Sequence, residues 1–67
     1  MRSWLKQARK EAGVTCYKIA EELGISEPYY YMIETGQRMK HMDILTAYKL
    51  SKILNVPLQL IVDYETH

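Results

Sequence analysis

Residues 16–36 read CYKIAEELGISEPYYYMIETG, and the spacing within them decides the architecture. Ile19, Ala20 and Leu23 recur at helical spacing, which predicts a helix over Cys16–Leu23. Thr15 just before it has the chemistry of an N-cap, because its hydroxyl can accept from an amide of the first turn. Gly24 ends that helix and Ile25 plugs the turn. Ser26 then caps a second helix over Glu27–Thr35, which Gly36 terminates. Pro28 is tolerated near its start, since first-turn amides have no intrahelical acceptor to lose. A small Ala20 lets the two helices cross closely, and a glycine one turn later permits left-handed turn geometry. Two short helices joined by a tight glycine turn are the expected unit.

The flanks extend the pattern. Leu5, Ala8, Arg9 and Ala12 share one stripe, predicting a helix over Ser3–Ala12 that stops at Gly13. After a loop from Gln37 to Met42, Asp43 caps a longer helix running to Leu54, with a stripe of Ile44, Ala47, Tyr48, Ser51 and Leu54. The tail has two readings. Val56, Leu58, Leu60, Val62 and Tyr64 alternate as a strand would. Leu58, Ile61 and Val62 also fit one helical face and Pro57 can open a helix, so a short fifth helix is preferred. The expected fold is an all-α, five-helix bundle in a single domain over residues 1–67. The tail holds more apolar residues than one small core needs. Its surplus, Leu60, Val62 and Tyr64, marks 56–65 as a candidate dimerisation segment.

Totals bound the rest. A chain of 67 residues has a core near the lower limit for independent stability. Cys16 is the only cysteine, which rules out an internal disulfide and a four-cysteine zinc site, and favours a reducing, intracellular compartment. There is no signal-peptide pattern, and no apolar run approaches the roughly 20 residues that span a bilayer. The net charge of +1 says little, but its placement is uneven. Arg2, Lys6, Arg9, Lys10 and Lys18 make the first third basic, and Arg38, Lys40 and His41 form a second basic knot. Asp63 and Glu65 close the chain with acid. Such asymmetry suits one face meeting an anionic polymer.

The glycine turn between two helices is a helix-turn-helix by spacing. From Leu5 to Ile61 the chain resembles the Cro/C1-type family of small phage and bacterial transcriptional regulators. The resemblance is carried by LKQARKEAGVTCYKIAEELGIS, by YMIETGQR and by LTAYKLSKILNVPLQLI. It implies a five-helix, lambda-repressor-like domain of a bacterial, phage or mobile-element cytoplasm, which binds double-stranded DNA as a dimer and represses transcription. It also implies an ion pair between Arg9 and Glu34. Three features depart from the family pattern. Cys16 stands where a glutamine usually contacts a phosphate and braces the recognition helix. That helix lacks the usual arginines, lysines and glutamines. The loop after Gly36 is about two residues longer than the common form.

Helical phase sorts the three consecutive tyrosines. At about 100° per residue they cannot all face one way. Tyr30, Ile33 and Glu34 share an inner arc, whereas Pro28, Met32 and Thr35 centre the outer one with Tyr29 and Tyr31 on its flanks. The candidate base-reading residues are therefore Glu27, Pro28, Tyr29, Tyr31 and Met32. Pro28, Met32 and the rings can pack on thymine methyl groups, and Glu27 can accept from the cytosine amino group. Candidate phosphate contacts are the helix start at Cys16 and Tyr17, then Thr35, Gln37, Arg38 and Lys40. A protein-interaction module or antitoxin component using Tyr29, Tyr31 and Met32 is the alternative.

Other chemistry is sparse. Cys16 at a helix start can in principle sense oxidants through a lowered thiol pKa, though a plain small residue is the simpler reading. His41 and Asp43 have metal-like spacing, but two ligands in a loop do not make a site. No nucleophile and base, or supported carboxylate pair, suggests an enzyme, and no cofactor or small-molecule ligand is expected. Trp4, beside the small Ala8, is expected to fill core volume.

Overall fold

The computed structural model describes residues 1–66 and builds five helices: α1 (Ser3–Ala12), α2 (Cys16–Leu23), α3 (Glu27–Thr35), α4 (Ile44–Leu54) and α5 (Leu58–Glu65). The boundaries of α2, α3 and α4 have local causes. The Thr15 hydroxyl accepts from the Lys18 amide at 3.1 Å, Ser26 from Tyr29 at 3.2 Å, and the Asp43 carboxylate from Thr46 at 2.7 Å. Each such cap stabilises its helix by about 1 kcal/mol. At the other end of α2, Gly24 adopts φ 74°, so the Ile25 amide returns to the Ala20 carbonyl at 3.0 Å. Most side chains are strained at that φ, which favours glycine in the tight turn. Asn55 closes α4 in the same left-handed region, with φ 56°.

Every helix contributes to one core. Leu5, Ile19, Tyr30, Ile33, Leu50 and Ile61 are fully buried, and Ala20, Ala47 and Leu54 nearly so. Burying a leucine or isoleucine side chain stabilises the fold by about 1.5–3 kcal/mol, so these few residues dominate the packing. α2 packs on α3 and α4, α1 on α3 and α4, and α5 on α4. The small Ala20 is only 2% exposed.

The tail is helical, not extended: Ile61 is fully buried, with Leu58 and Val62 half-buried. Other expectations need correcting. The buried arc of α4 is Ala47, Leu50, Ser51 and Leu54, rotated by roughly 50° from the expected stripe. Leu50 faces the centre, where α1, α2 and α5 all meet α4, whereas Ile44 and Tyr48 are 69% and 49% exposed. Ala12 is also exposed, because the last turn of α1 runs past the core. Trp4 is half-buried at the core edge, not inside it. Its ring stacks on Tyr64 with centroids 5.3 Å apart, and its indole N–H donates to Glu65 at 2.9 Å.

Candidate nucleic-acid interface

The inner arc of α3 is buried as helical phase requires, but of the expected outer centre only Pro28 is exposed, with Met32 and Thr35 half-buried. Tyr30, Ile33 and Glu34 are at most 2% exposed, whereas Glu27, Pro28, Tyr29 and Tyr31 lie open and Met32 is half-buried. Tyr31 stands furthest out at 56%, against 37% for Tyr29. The outer arc is apolar and aromatic, with a single charge at Glu27.

The inner arc is anchored by a carboxylate with three donors. Arg9 grips Glu34 with two parallel bonds, Nε at 3.0 Å and Nη2 at 3.3 Å, and the Tyr30 hydroxyl donates to the same carboxylate at 2.8 Å. The bond to Glu34 raises the Arg9 pKa above its ordinary value. Burial, then the bond to Glu34, pushes the Tyr30 phenol far above its own, so the hydroxyl remains a donor. A buried carboxylate without such partners would cost several kcal/mol. Among the described residues no buried side-chain polar atom lacks a hydrogen bond, so the charge sits in a satisfied network. α1 thereby fixes the rotation of α3 about its own axis, and with it the direction in which the outer arc faces.

α2 begins beside this anchor. Cys16 is half-buried within electrostatic range of Arg9, Glu34 and Glu27, and Tyr17 is 62% exposed. The Cys16 and Tyr17 amides belong to the first turn and have no intrahelical acceptor. Burial pushes the Cys16 thiol up, against the lesser pull of Arg9, the direction opposite to the lowering that a reactive thiolate needs.

The segment after α3 carries the remaining candidates. Gln37, Arg38, Lys40 and His41 are exposed, and the Gln37 and Arg38 amides bond the Met32 carbonyl at 2.9 and 3.2 Å. Thr35 is half-buried, with its hydroxyl donating to the same carbonyl at 3.2 Å. Arg2, which has no place among the expected site residues, lies beneath this loop and is only 7% exposed. Its Nη1 donates to the carbonyls of Ile33 at 2.7 Å and Arg38 at 3.4 Å. Its Nη2 reaches the carbonyls of Met39 and, at 3.5 Å, Lys40. Nε and Nη2 hold the Glu65 carboxylate at 2.9 and 3.0 Å. No sequence signal marks such a residue, since most of its partners are main-chain carbonyls. The expected dimer residues sit apart on α5. Leu60 and Tyr64 are 39% and 47% exposed, and Tyr64 spends one ring face on Trp4 of its own chain.

A helix-turn-helix family model matches residues 5–61. The chain belongs to this Cro/C1-type helix-turn-helix family. Comparison with curated proteins and with solved structures gives no match. Membership makes the chain a helix-turn-helix DNA-binding regulator in its general class. α2, the Gly24 turn and α3 are its helix-turn-helix unit, and the glycine turn and the Arg9–Glu34 pair both lie inside the matched region. Among the described residues no helix of this helix-turn-helix domain is long and apolar enough to cross a membrane.

Proposed function

We propose that the protein is a Cro/C1-like repressor that reads the major groove of double-stranded DNA with α3. The observation that carries this reading is the division of α3 into a locked inner arc and an open outer one, flanked by two elements suited to phosphates. On one side are the free first-turn amides of Cys16 and Tyr17, whose helix dipole favours an anion. On the other are Gln37, Arg38 and Lys40, all exposed. Between them Pro28, Tyr29, Tyr31 and Met32 offer apolar surface for thymine methyls, and Glu27 offers an acceptor for a cytosine amino group. Affinity then comes from the backbone contacts and preference from the outer arc. A homodimer formed through Leu60, Val62 and Tyr64 of α5 would place two such helices on a two-fold symmetric operator. In this reading occupancy is governed by concentration and dimerisation in the cytoplasm of a bacterial host.

Selection from a random DNA pool tests this directly. The expected result is a preferred sequence with palindromic half-sites, bound with a steep loss of affinity as salt rises. Absence of any DNA binding at low salt would sink the reading. One observation favours a second function: α3 exposes two tyrosines and no basic side chain, an unusual surface for a polyanion. A protein-binding or antitoxin role through Tyr29, Tyr31 and Met32 would show as tight capture of a protein partner that substitution of those residues abolishes.

A further inference from the structure

The loop carrying Arg38 and Lys40 has an uncommon main-chain path. Met39 adopts φ 54°, a left-handed conformation that side-chain-bearing residues seldom take. The carbonyls of Arg38, Met39 and Lys40 all lie within hydrogen-bonding reach of one buried cation, the first and last at 3.4 and 3.5 Å. The cation is Arg2. Its planar fork of five N–H groups suits acceptors spread around it, whereas a lysine ammonium directs three donors from a single atom. The fork is held in turn: Glu65, on the last turn of α5, takes two of its bonds and is itself held by the Trp4 indole at 2.9 Å. Met39 and Met42 also pack against the core.

We propose that Arg2 is the positioning residue of the DNA-backbone loop. Locked by Glu65, its guanidinium sets the main-chain path from Arg38 to Lys40 that aims those two side chains at phosphates. This rests on the DNA-binding reading above. Arg2 is not itself a phosphate ligand: it is buried, and its N–H groups point at carbonyls and at Glu65. The arrangement also ties α5, where a second subunit would dock, to the loop that meets DNA.

The charge-conserving variant Arg2→Lys separates positioning from electrostatics. Below its melting temperature, the Arg38 amide, which bonds the Met32 carbonyl, should exchange with solvent about tenfold faster, while those of Ile19 and Leu50 stay protected. DNA affinity should fall about tenfold, and the slope of log K against log salt should become shallower by about one to two, the signature of lost phosphate contacts. Global destabilisation alone would leave that slope unchanged. Glu65→Gln, which keeps the loop sequence and removes the lock, should shift exchange and slope in the same direction, and serves if Arg2→Lys does not fold. In an Arg38→Ala/Lys40→Ala background, adding Arg2→Lys should change affinity less than about twofold. Unaltered loop exchange in both single variants overturns the proposal, as does a full loss of affinity persisting in the double background. Fast loop exchange combined with parental DNA binding by Arg38→Ala/Lys40→Ala would leave the pin standing but overturn its role in DNA positioning, because the backbone-contact reading itself would have failed.

Discussion

Arg9 and Arg2 both brace the C-terminal half of α3, but they act on different kinds of partner. Arg9 meets a side chain, Glu34, in a network closed by Tyr30 inside the bundle. Arg2 meets mainly the main chain at the bundle's edge, and its one side-chain partner comes from the far end of the sequence. The first arginine orients α3; the second shapes the loop leading out of it. Removing Arg9 strands a carboxylate that water cannot reach. Removing Arg2 exposes carbonyls that water can partly satisfy.

That contrast sets an order of effects. Arg9→Ala should cost about 3 kcal/mol and lower the melting temperature by roughly 15 °C, while Lys10→Ala, at an exposed position of the same helix, should change it little. Calorimetry of the two variants checks the pairing, and equal melting temperatures would refute it. Arg2→Met should cost less, about 1.5 kcal/mol, because the freed carbonyls can recruit solvent. A loss larger than that of Arg9→Ala in the same melts would reverse the assigned roles. Tyr30→Phe removes one of three donors to Glu34 and should cost about 1 kcal/mol, with Arg9 still in place. In urea titration, a loss matching Arg9→Ala would mean that the hydroxyl, not the guanidinium, carries the network.

The smallest effect belongs to the edge cluster and depends on pH. Burial pushes the Glu65 carboxyl up, but the bonds from Arg2 and Trp4 and the charge of Arg2 outweigh it and hold the pKa below the ordinary 4.5. A lowered folded-state pKa contributes stability that is complete above the ordinary value and is lost as pH falls through the folded-state value. The stability gap between the parent and Glu65→Gln should therefore narrow as pH is taken from 6 to 3. A gap that widens with acid would mean that Glu65 is not held as a carboxylate.

Much of this is legible in the residues. Capping side chains open α2, α3 and α4, and left-handed glycines close α1, α2 and α3, between apolar stripes; all are matters of residue type. Glu34 is readable as inward-facing because helical phase places it with Tyr30 and Ile33, and the family resemblance supplies Arg9. Phase serves less well on α4. Ile44 and Tyr48 look like core residues by hydropathy, but where the bundle ends depends on how α1, α2 and α5 pack, which no single helix encodes. Trp4 reads as core and Tyr64 as partner surface when each is judged alone, whereas the stack joins opposite ends of the chain. Arg2 is least visible. Carbonyl acceptors belong to every residue, so a side chain that recognises a main-chain path leaves no pattern to find.

The two arcs of α3 have one consequence for change. Tyr30, Ile33 and Glu34 carry the structural duty, and Glu27, Pro28, Tyr29 and Tyr31 touch little of the interior. Replacements at the second set leave the network around Glu34 intact, so what the helix says can be rewritten while how it is held stays the same. Such a scaffold tolerates a new vocabulary on its surface without first finding a new way to fold.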